Sequence, residues 1–347
     1  AIRRAKANDN IKGIYLEAGS LSTGFAGIEA IRRELEDFKD SGKFIVSYGD
    51  YYTQGAYYLC SVADSVFLNP QGSVSLVGLA SQGLFFTGLA EKIGVEHYIF
   101  KVGTYKSAVE PFFLKKFSDA NREQLTSFLG SVWGNLITAI EKSRNISSDE
   151  LDRYLNEGLA MGQASNAVDY KLADGLRYRY EVENCVKEMA GQDVKGKLKT
   201  AGVDKIVSIK VKEKENKNKI AVLYAEGEIR DEDSSSPFSA DEQVISEEMA
   251  NKLRKLKDDD DVKAVVFRVN SPGGSAYISE QIWKEVVELK AKKPIVVSMG
   301  NYAASGGYYI SCAANKIVAE RTTLTGSIGV FGVVRNFTGT FDKVGVT

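Results

Sequence analysis

Part of this sequence is written twice. Residues 1–96 lie on residues 252–347 at a constant offset of 251, without a gap, and 24 of the 96 positions are identical. The densest stretch sets Val46-Ser47-Tyr48-Gly49-Asp50-Tyr51 and Gly55-Ala56-Tyr57-Tyr58 on Val297-Ser298-Met299-Gly300-Asn301-Tyr302 and Gly306-Gly307-Tyr308-Tyr309. A period this long is a duplicated domain, because solenoid repeats run about 20–50 residues. The 347 residues accommodate two domains at about 150 residues each. The second copy is preceded by an apolar run, Lys219 to Gly227, whose counterpart would lie before Ala1. The first copy continues past Glu96 into His97 to Lys106, whose counterpart would lie after Thr347. The repeat therefore predicts that these residues are a piece of a longer chain.

Each copy alternates strand and helix. Ala264 to Val269 is a β-branched run that ends in Asn270-Ser271-Pro272-Gly273-Gly274. A helix is predicted from about Ser279 to Lys290, with Ile282, Val286 and Leu289 on its apolar face. Pro294 opens a strand over Ile295 to Ser298, Gly300 ends it, a helix follows Ser305, and a short strand covers Lys316 to Ala319. This βαβα order implies a mostly parallel sheet flanked by helices. The expected organisation is a first repeat over 1–117, a helical region over 118–200, a linker over 201–218 and a second repeat over 219–347, cut short at its C-terminal end. Helical spacing and a cap at Ser118-Asp119 mark the middle region. Lysines with little core material mark the linker.

Composition narrows the function classes. With 45 Lys plus Arg against 46 Asp plus Glu, the net charge of −1 gives no electrostatic footprint for nucleic acid or an anionic membrane. One histidine excludes a multi-His metal site. Cys60, Cys185 and Cys312 exclude a Cys₄ zinc site or a disulfide framework, and are read as small buried apolar residues. Asp231, Asp233, Ser235 and Glu242 imitate a calcium loop, but Ser236 stands where the sharp turn needs glycine, so a surface loop is expected and no metal. The uncharged stretches Ser65–Ala90 and Pro294–Asn315 are long enough to span a bilayer, yet Asn69-Pro70-Gln71-Gly72 and the Gly300 and Gly306-Gly307 breaks read as buried strand–turn–helix units.

Two glycine-rich turns of the second copy follow strands and so belong at the carboxyl edge of the sheet, where ligands bind. One carries Ser305 where a strand hands over to a helix. Its hydroxyl can project there, and the amide of Gly306 is free to face a negative charge. The other turn offers a second amide, from Gly273 or Gly274. Two such donors make an oxyanion hole, worth about 10²–10³ in rate per donor. The first copy has Gln54 in place of Ser305 and Leu21-Ser22-Thr23 in place of Pro272-Gly273-Gly274. Both parts of an acyl-transfer site are missing together, as in a degenerate copy. A serine nucleophile needs a base. His97 is the sole imidazole, but it sits in a predicted strand over Val95 to Val102. A lysine would have to fall from about 10.4 to about 7–8, a shift worth about 4 kcal/mol that burial can supply. Lys106 is a fair candidate, following a Gly-Thr-Tyr turn in a short polar patch before Pro111.

Four segments together are highly specific: Asn270 to Gly274, Ala304 to Tyr308, Leu324-Thr325-Gly326-Ser327-Ile328-Gly329, and Gly103-Thr104-Tyr105-Lys106-Ser107-Ala108-Val109-Glu110-Pro111-Phe112. With them the chain resembles, along essentially its whole length, the long two-repeat form of the signal peptide peptidase A (protease IV) family, bacterial serine proteases of the ClpP/crotonase-type fold. The resemblance implies two tandem ClpP/crotonase-like α/β domains. It also implies a Ser/Lys dyad with Ser305 as nucleophile, Lys106 as general base, Ser327 holding the amine, and Gly273 with Gly306 as the oxyanion hole. No cofactor is implied. The expected substrates are cleaved signal peptides and other extended apolar peptides. The expected assembly is a homotetramer, anchored in the inner membrane by an N-terminal helix outside these residues and facing the periplasm. Because the first copy carries the lysine and the second the serine, the site is expected where the copies meet, and residues 217 onward alone should be inactive. The competing readings are a crotonase-like acyl-CoA enzyme, which needs a carboxylate and no nucleophilic serine, and a non-catalytic scaffold derived from a peptidase.

Overall fold

A computed structural model describes residues 1–159, 162–209, 217–231 and 243–346. In chain order the elements are α1 (Ile2–Lys6), β1 (Gly13–Glu17), α2 (Phe25–Lys39), β2 (Phe44–Gly49), α3 (Gln54–Cys60), β3 (Ser65–Leu68), α4 (Thr87–Ile93), β4 (Glu96–Lys101), α5 (Asp119–Arg144), α6 (Ser148–Asn156), α7 (Ala164–Asp169), β5 (Gly175–Leu176), α8 (Arg179–Met189) and α9 (Val203–Val207). There follow β6 (Lys219–Glu226), β7 (Glu228–Ile229), β8 (Val244–Ile245), α10 (Glu248–Asp258), β9 (Val262–Ser271), α11 (Ala276–Lys292), β10 (Ile295–Ala304), α12 (Gly306–Tyr309), β11 (Lys316–Val318), β12 (Leu324–Gly326), β13 (Phe331–Asn336) and α13 (Thr338–Val344).

The fold is α/β, and its larger sheets are parallel and flanked by helices. The chain divides into two compact units that interleave in sequence. One comprises Ala1–Leu79 and Val132–Lys214, the other Ala80–Ser131 and Glu215–Thr347. These cuts differ from the linear boundaries expected from the repeat. The stretch that follows the first copy's sheet strands, including Lys106, belongs with the second copy's sheet.

In the first unit β1, β2, β3 and β5 form a parallel sheet in that order. Val46, Tyr48 and Phe67 pack on Val182 and Val186 of α8, while α2 buries Ile28, Leu35 and Phe38. Part of the expected linker is docked here: α9 buries Ile206, and the Arg4 guanidinium donates to the carbonyls of Val207 and Ile209.

In the second unit the parallel order is β11-β10-β9-β6, with β12 alongside the end of β10. β-Branched and apolar residues alternate on one face: Val265, Phe267 and Val269 of β9 and Ile295, Val297 and Met299 of β10 pack against Leu253 of α10 and Ile282, Val286 and Leu289 of α11. Burying some ten such side chains at about 1.5–3 kcal/mol each supplies the core of this unit. α11 starts three residues before its predicted start, because Ser275 caps it by accepting from the Ile278 N–H at 3.3 Å. β10 does not stop at Gly300. It bulges between Met299 and Ala303 and then pairs with β12, Ala304 opposite Gly326. β4 and β13 form a separate antiparallel pair, Phe331 opposite Lys101 through Asn336 opposite Glu96.

The duplication is visible in the elements. α4 and α13 coincide at the offset of 251, and each closes on a left-handed glycine, Gly94 (φ 78°) and Gly345 (φ 75°). The bridge Tyr52–Val74 and the pair Ala303–Thr325 coincide at the same offset. Between the first two strands it fails: Gly13 pairs with Phe44, 31 positions on, but Val265 pairs with Ile295, 30 positions on. The gap-free alignment is therefore one residue out of register there. Among the described residues no helix is long and apolar enough to cross a membrane.

Candidate active site

β10 delivers Ser305 to the edge of its sheet. Ser305 is the cap residue of α12 and holds φ 53°, ψ −118°. A non-glycine residue at positive φ is uncommon, and it persists only where its surroundings fix it, at a cost of about 1–3 kcal/mol. Here the fixing bonds are Ser305 N–H to the Gly326 carbonyl (2.9 Å) and Tyr309 N–H to the Ser305 carbonyl (2.9 Å). Ser327 is also at positive φ, 49°.

Both strained serines meet one amine. Lys106 Nζ lies 3.1 Å from Ser305 Oγ, 2.6 Å from the Ser327 carbonyl and 3.2 Å from Ser327 Oγ. Lys106, Ser305 and Ser327 all belong to the second unit. Lys106 is 4 % exposed although residues 101–105 before it are exposed. Burial alone holds its ammonium below the ordinary lysine value, with no charged neighbour contributing. The Lys106 amine donates to all three oxygens, the Ser305 hydroxyl, the Ser327 carbonyl and the Ser327 hydroxyl.

Beside Ser305 the Pro-Gly-Gly turn comes close enough that side chains are excluded. A Cβ on Gly273 would lie 2.7 Å from Gly306 N, and a Cβ on Gly306 would lie 3.2 Å from Gly274 N. Gly273, expected as a donor to an oxyanion, has its own N–H turned onto Ser271 Oγ (3.1 Å). Its carbonyl accepts from Ile229 N–H (2.9 Å). The N–H groups of Gly274 and Gly306 make no such bond among the described residues, so these two are the donors available to a ligand.

A cavity of about 630 Å³ opens in front of Ser305, lined by Ala276, Tyr308, Tyr309, Cys312, Ile328, Val330 and Phe331 together with Gly274, Ser275, Gly306 and Gly329. Its lining is mostly apolar and holds no carboxylate. Tyr309 donates its hydroxyl to Glu280, which raises its pKa. Cys312 corrects the expectation that the cysteines are buried: it is exposed and lines the cavity, whereas Cys60 is buried. His97 packs against Phe112 with ring centroids 5.2 Å apart and tilted by 35°, and makes no hydrogen bond to Ser305 or Lys106 among the described residues. Among the described residues no three metal-binding side chains cluster. Of the calcium-like loop, Asp231 is described, while Asp233, Ser235 and Glu242 lie outside the described residues.

The sequence model of "Peptidase family S49" matches residues 37–193 and 287–347. The chain belongs to peptidase family S49. Its S49 relatives include Protease 4 of Haemophilus influenzae, 38 % identical over 100 % of this chain and 57 % of the relative. They also include the chloroplastic serine protease SPPA of Arabidopsis thaliana, 33 % identical over 99 % of this chain and 50 % of the relative. The chain thus spans about half the length of these relatives. Among solved structures, a point mutant of ClpP1 from Listeria monocytogenes is 22 % identical over 27 % of this chain and 46 % of its own, with a TM-score of 0.21. An overlap that small adds nothing to the fold, which rests on the strand order above. The sequence offered Gly273 or Gly274 as the second donor without choosing between them, and it did not point to the cavity residues beyond Ser305 and Gly306. The Pro-Gly-Gly turn signalled the pair of glycines, and nothing local signalled the cavity residues.

Proposed function

We propose that this S49 chain carries the catalytic centre of a serine endopeptidase with a Ser305/Lys106 dyad, acting on extended apolar peptides such as signal-peptide remnants. The observation that carries the reading is the buried Lys106 amine 3.1 Å from Ser305 Oγ. Ser305 Oγ attacks the scissile carbonyl while neutral Lys106 takes its proton. The oxyanion is received by the N–H groups of Gly306 and Gly274. Protonated Lys106 then gives the proton to the leaving amine, leaving an acyl group on Ser305. Water, deprotonated by Lys106, releases the acid and restores the serine. Ser327 keeps the amine in line through both halves. The apolar cavity favours an apolar side chain next to the scissile bond and supports the peptide class. An acyl-CoA enzyme would need a carboxylate among the lining residues.

Hydrolysis of a fluorogenic Leu- or Ala-rich peptide by the full-length protein, beside Ser305→Ala and Lys106→Ala, tests this. Loss of turnover in both folded variants is expected. Activity retained by Ser305→Ala would end the reading, and activity retained by Lys106→Ala alone would move the base elsewhere. A homotetrameric assembly and a membrane anchor on the periplasmic side are part of the same proposal, tested by sizing and fractionating the full-length protein.

A further inference from the structure

Lys106 sits in a loop outside the helices and strands, yet its amine lies between Ser305 and Ser327. The loop's hydrogen bonds show where that placement comes from. Glu110, four residues on, is 1 % exposed, a carboxylate that the reaction above does not use. Its Oε1 accepts from Ser118 Oγ (2.5 Å), and its Oε2 accepts from Ser118 N–H (3.1 Å) and Asn121 Nδ2 (2.9 Å). Gln124 donates from Nε2 to Ser107 Oγ (2.6 Å) and to Asn121 Oδ1 (2.9 Å). Tyr105 donates to Glu123 Oε2 (2.9 Å). The residues on either side of Lys106 are therefore each tied to the first turns of α5, and Glu110 joins that helix start to the short 3₁₀ turn Glu110–Phe112. Burial alone would raise the pKa of Glu110. Its bonds to Ser118 and Asn121 and the charge of Lys101 outweigh that and hold it below the ordinary carboxylate value.

We propose that Glu110 and Gln124 are positioning residues for the base: they clamp the Lys106 loop to the start of α5 and so fix the amine between Ser305 and Ser327. The inference rests on the dyad reading. Loosening the clamp lets Nζ drift toward water. Two effects follow. The amine leaves its line with Ser305, and its pKa rises back toward the ordinary lysine value, so less of it is neutral near pH 7. The groups facing Lys106 itself are the Ser305 and Ser327 hydroxyls and the Phe331 ring, 5.8 Å away. The charged groups around its loop are Glu110, Glu123 and Lys101, and their hydrogen bonds and ring contacts go to residues other than Lys106.

The test measures kcat, KM and the pH profile of full-length Glu110→Gln and Gln124→Leu on the fluorogenic peptide, with the rate of fluorophosphonate labelling at Ser305. Glutamine keeps the volume of Glu110 but supplies one acceptor where three donors converge. Leucine at the half-buried position 124 removes both of its donors without removing a core side chain, so it remains informative if the Glu110 variant folds poorly. Expected is a fall in kcat of about ten- to hundredfold, KM within about twofold, slower labelling, and an acid limb displaced to higher pH. A wild-type kcat and acid limb in folded Gln124→Leu overturns the proposal, as does a rise in KM at unchanged kcat. If Ser305→Ala and Lys106→Ala are inactive while both clamp variants behave as wild type, this inference fails and the dyad stands. If Ser305→Ala is active, the dyad reading itself fails.

Discussion

The same turn occurs once in each copy, and the two are finished differently. In the first copy Gln54 is an ordinary helical residue behind a Thr53 cap at φ −66°, ψ 159°. Its side-chain oxygen accepts from the N–H groups of Val77 (3.2 Å) and Gly78 (3.1 Å), and its Nε2 donates to the Gly78 carbonyl (3.3 Å). At the offset of 251, Val77 and Gly78 correspond to Ile328 and Gly329. In the second copy Ser305 is itself the cap, at a φ that side chains avoid, and is too short to reach that loop. Lys106, 199 positions away in sequence, bonds the loop at Ser327 instead. A glutamine satisfies the loop alone with a group that does not titrate. A serine with a buried amine leaves a strained backbone, a shifted pKa and a hydroxyl bonded to that amine. The first arrangement is what packing settles on. The second is kept in place only by the bonds around it.

The largest effect expected from this contrast is at the second turn. Ser305→Ala should lower kcat by about 10⁶-fold and Lys106→Ala by about 10²–10⁴-fold, read on the same peptide. Next comes the donor turn. Gly274 stands at φ 147°, and a Cβ there would lie 2.1 Å from the Ile229 carbonyl. Gly274→Ala should displace its N–H and cost about 10²–10³ in kcat. Intact turnover in that variant would assign the oxyanion to other groups. The pH profile sharpens the pair. Because burial lowers the pKa of Lys106, activity should be full above that pKa and fall as pH drops through it, with the acid limb below the ordinary lysine value of about 10.4. A limb at the ordinary value would mean a solvated amine. Gln54→Ser should create no second labelled serine, since the first copy has Leu21-Ser22-Thr23 where the donor glycines would be. Fluorophosphonate labelling of the double variant Gln54→Ser, Ser305→Ala should therefore be blank.

Much of the fold was legible because the repeat and the β-branched runs act locally: Ala264 to Val269 and Ile295 to Ser298 read as buried strands and are. The short pieces were not. β5 has two residues and β12 three, and each exists only because a neighbouring strand offers it a ladder. Interleaving was illegible for a related reason. Nothing between Thr87 and Lys101 says that β4 pairs with β13, 230–240 positions on, rather than with the first copy. At the site, the glycine turns and Ser305 announce themselves by residue type. The approach of Lys106 does not, because a lysine's chemistry depends on burial, and burial is decided by residues such as Phe331 and Ser327 that lie far off in sequence. The choice between Gly273 and Gly274 turns on one hydroxyl, Ser271, whose direction no local pattern encodes.

The smallest expected effect separates the two turns by sign. At Ser305 the backbone is at φ 53°. Glycine there removes a strain of about 1–3 kcal/mol and adds unfolded-state freedom worth about 0.5–1 kcal/mol. Ser305→Gly should therefore be more stable than Ser305→Ala by about 1 kcal/mol, both being inactive. At Gln54 the backbone is helical, so no strain is relieved. Gln54→Gly should be less stable than Gln54→Ala by up to about 1 kcal/mol. Both variants also lose the three bonds to Val77 and Gly78, which cancel in the difference. Chemical denaturation of the four variants reads the two differences directly. Opposite signs mean that the strain belongs to the serine's turn and not to the duplicated fold. The same sign at both positions would mean that the left-handed backbone of Ser305 is no more costly than a helix start, and the contrast between the copies would then lie in side chains alone.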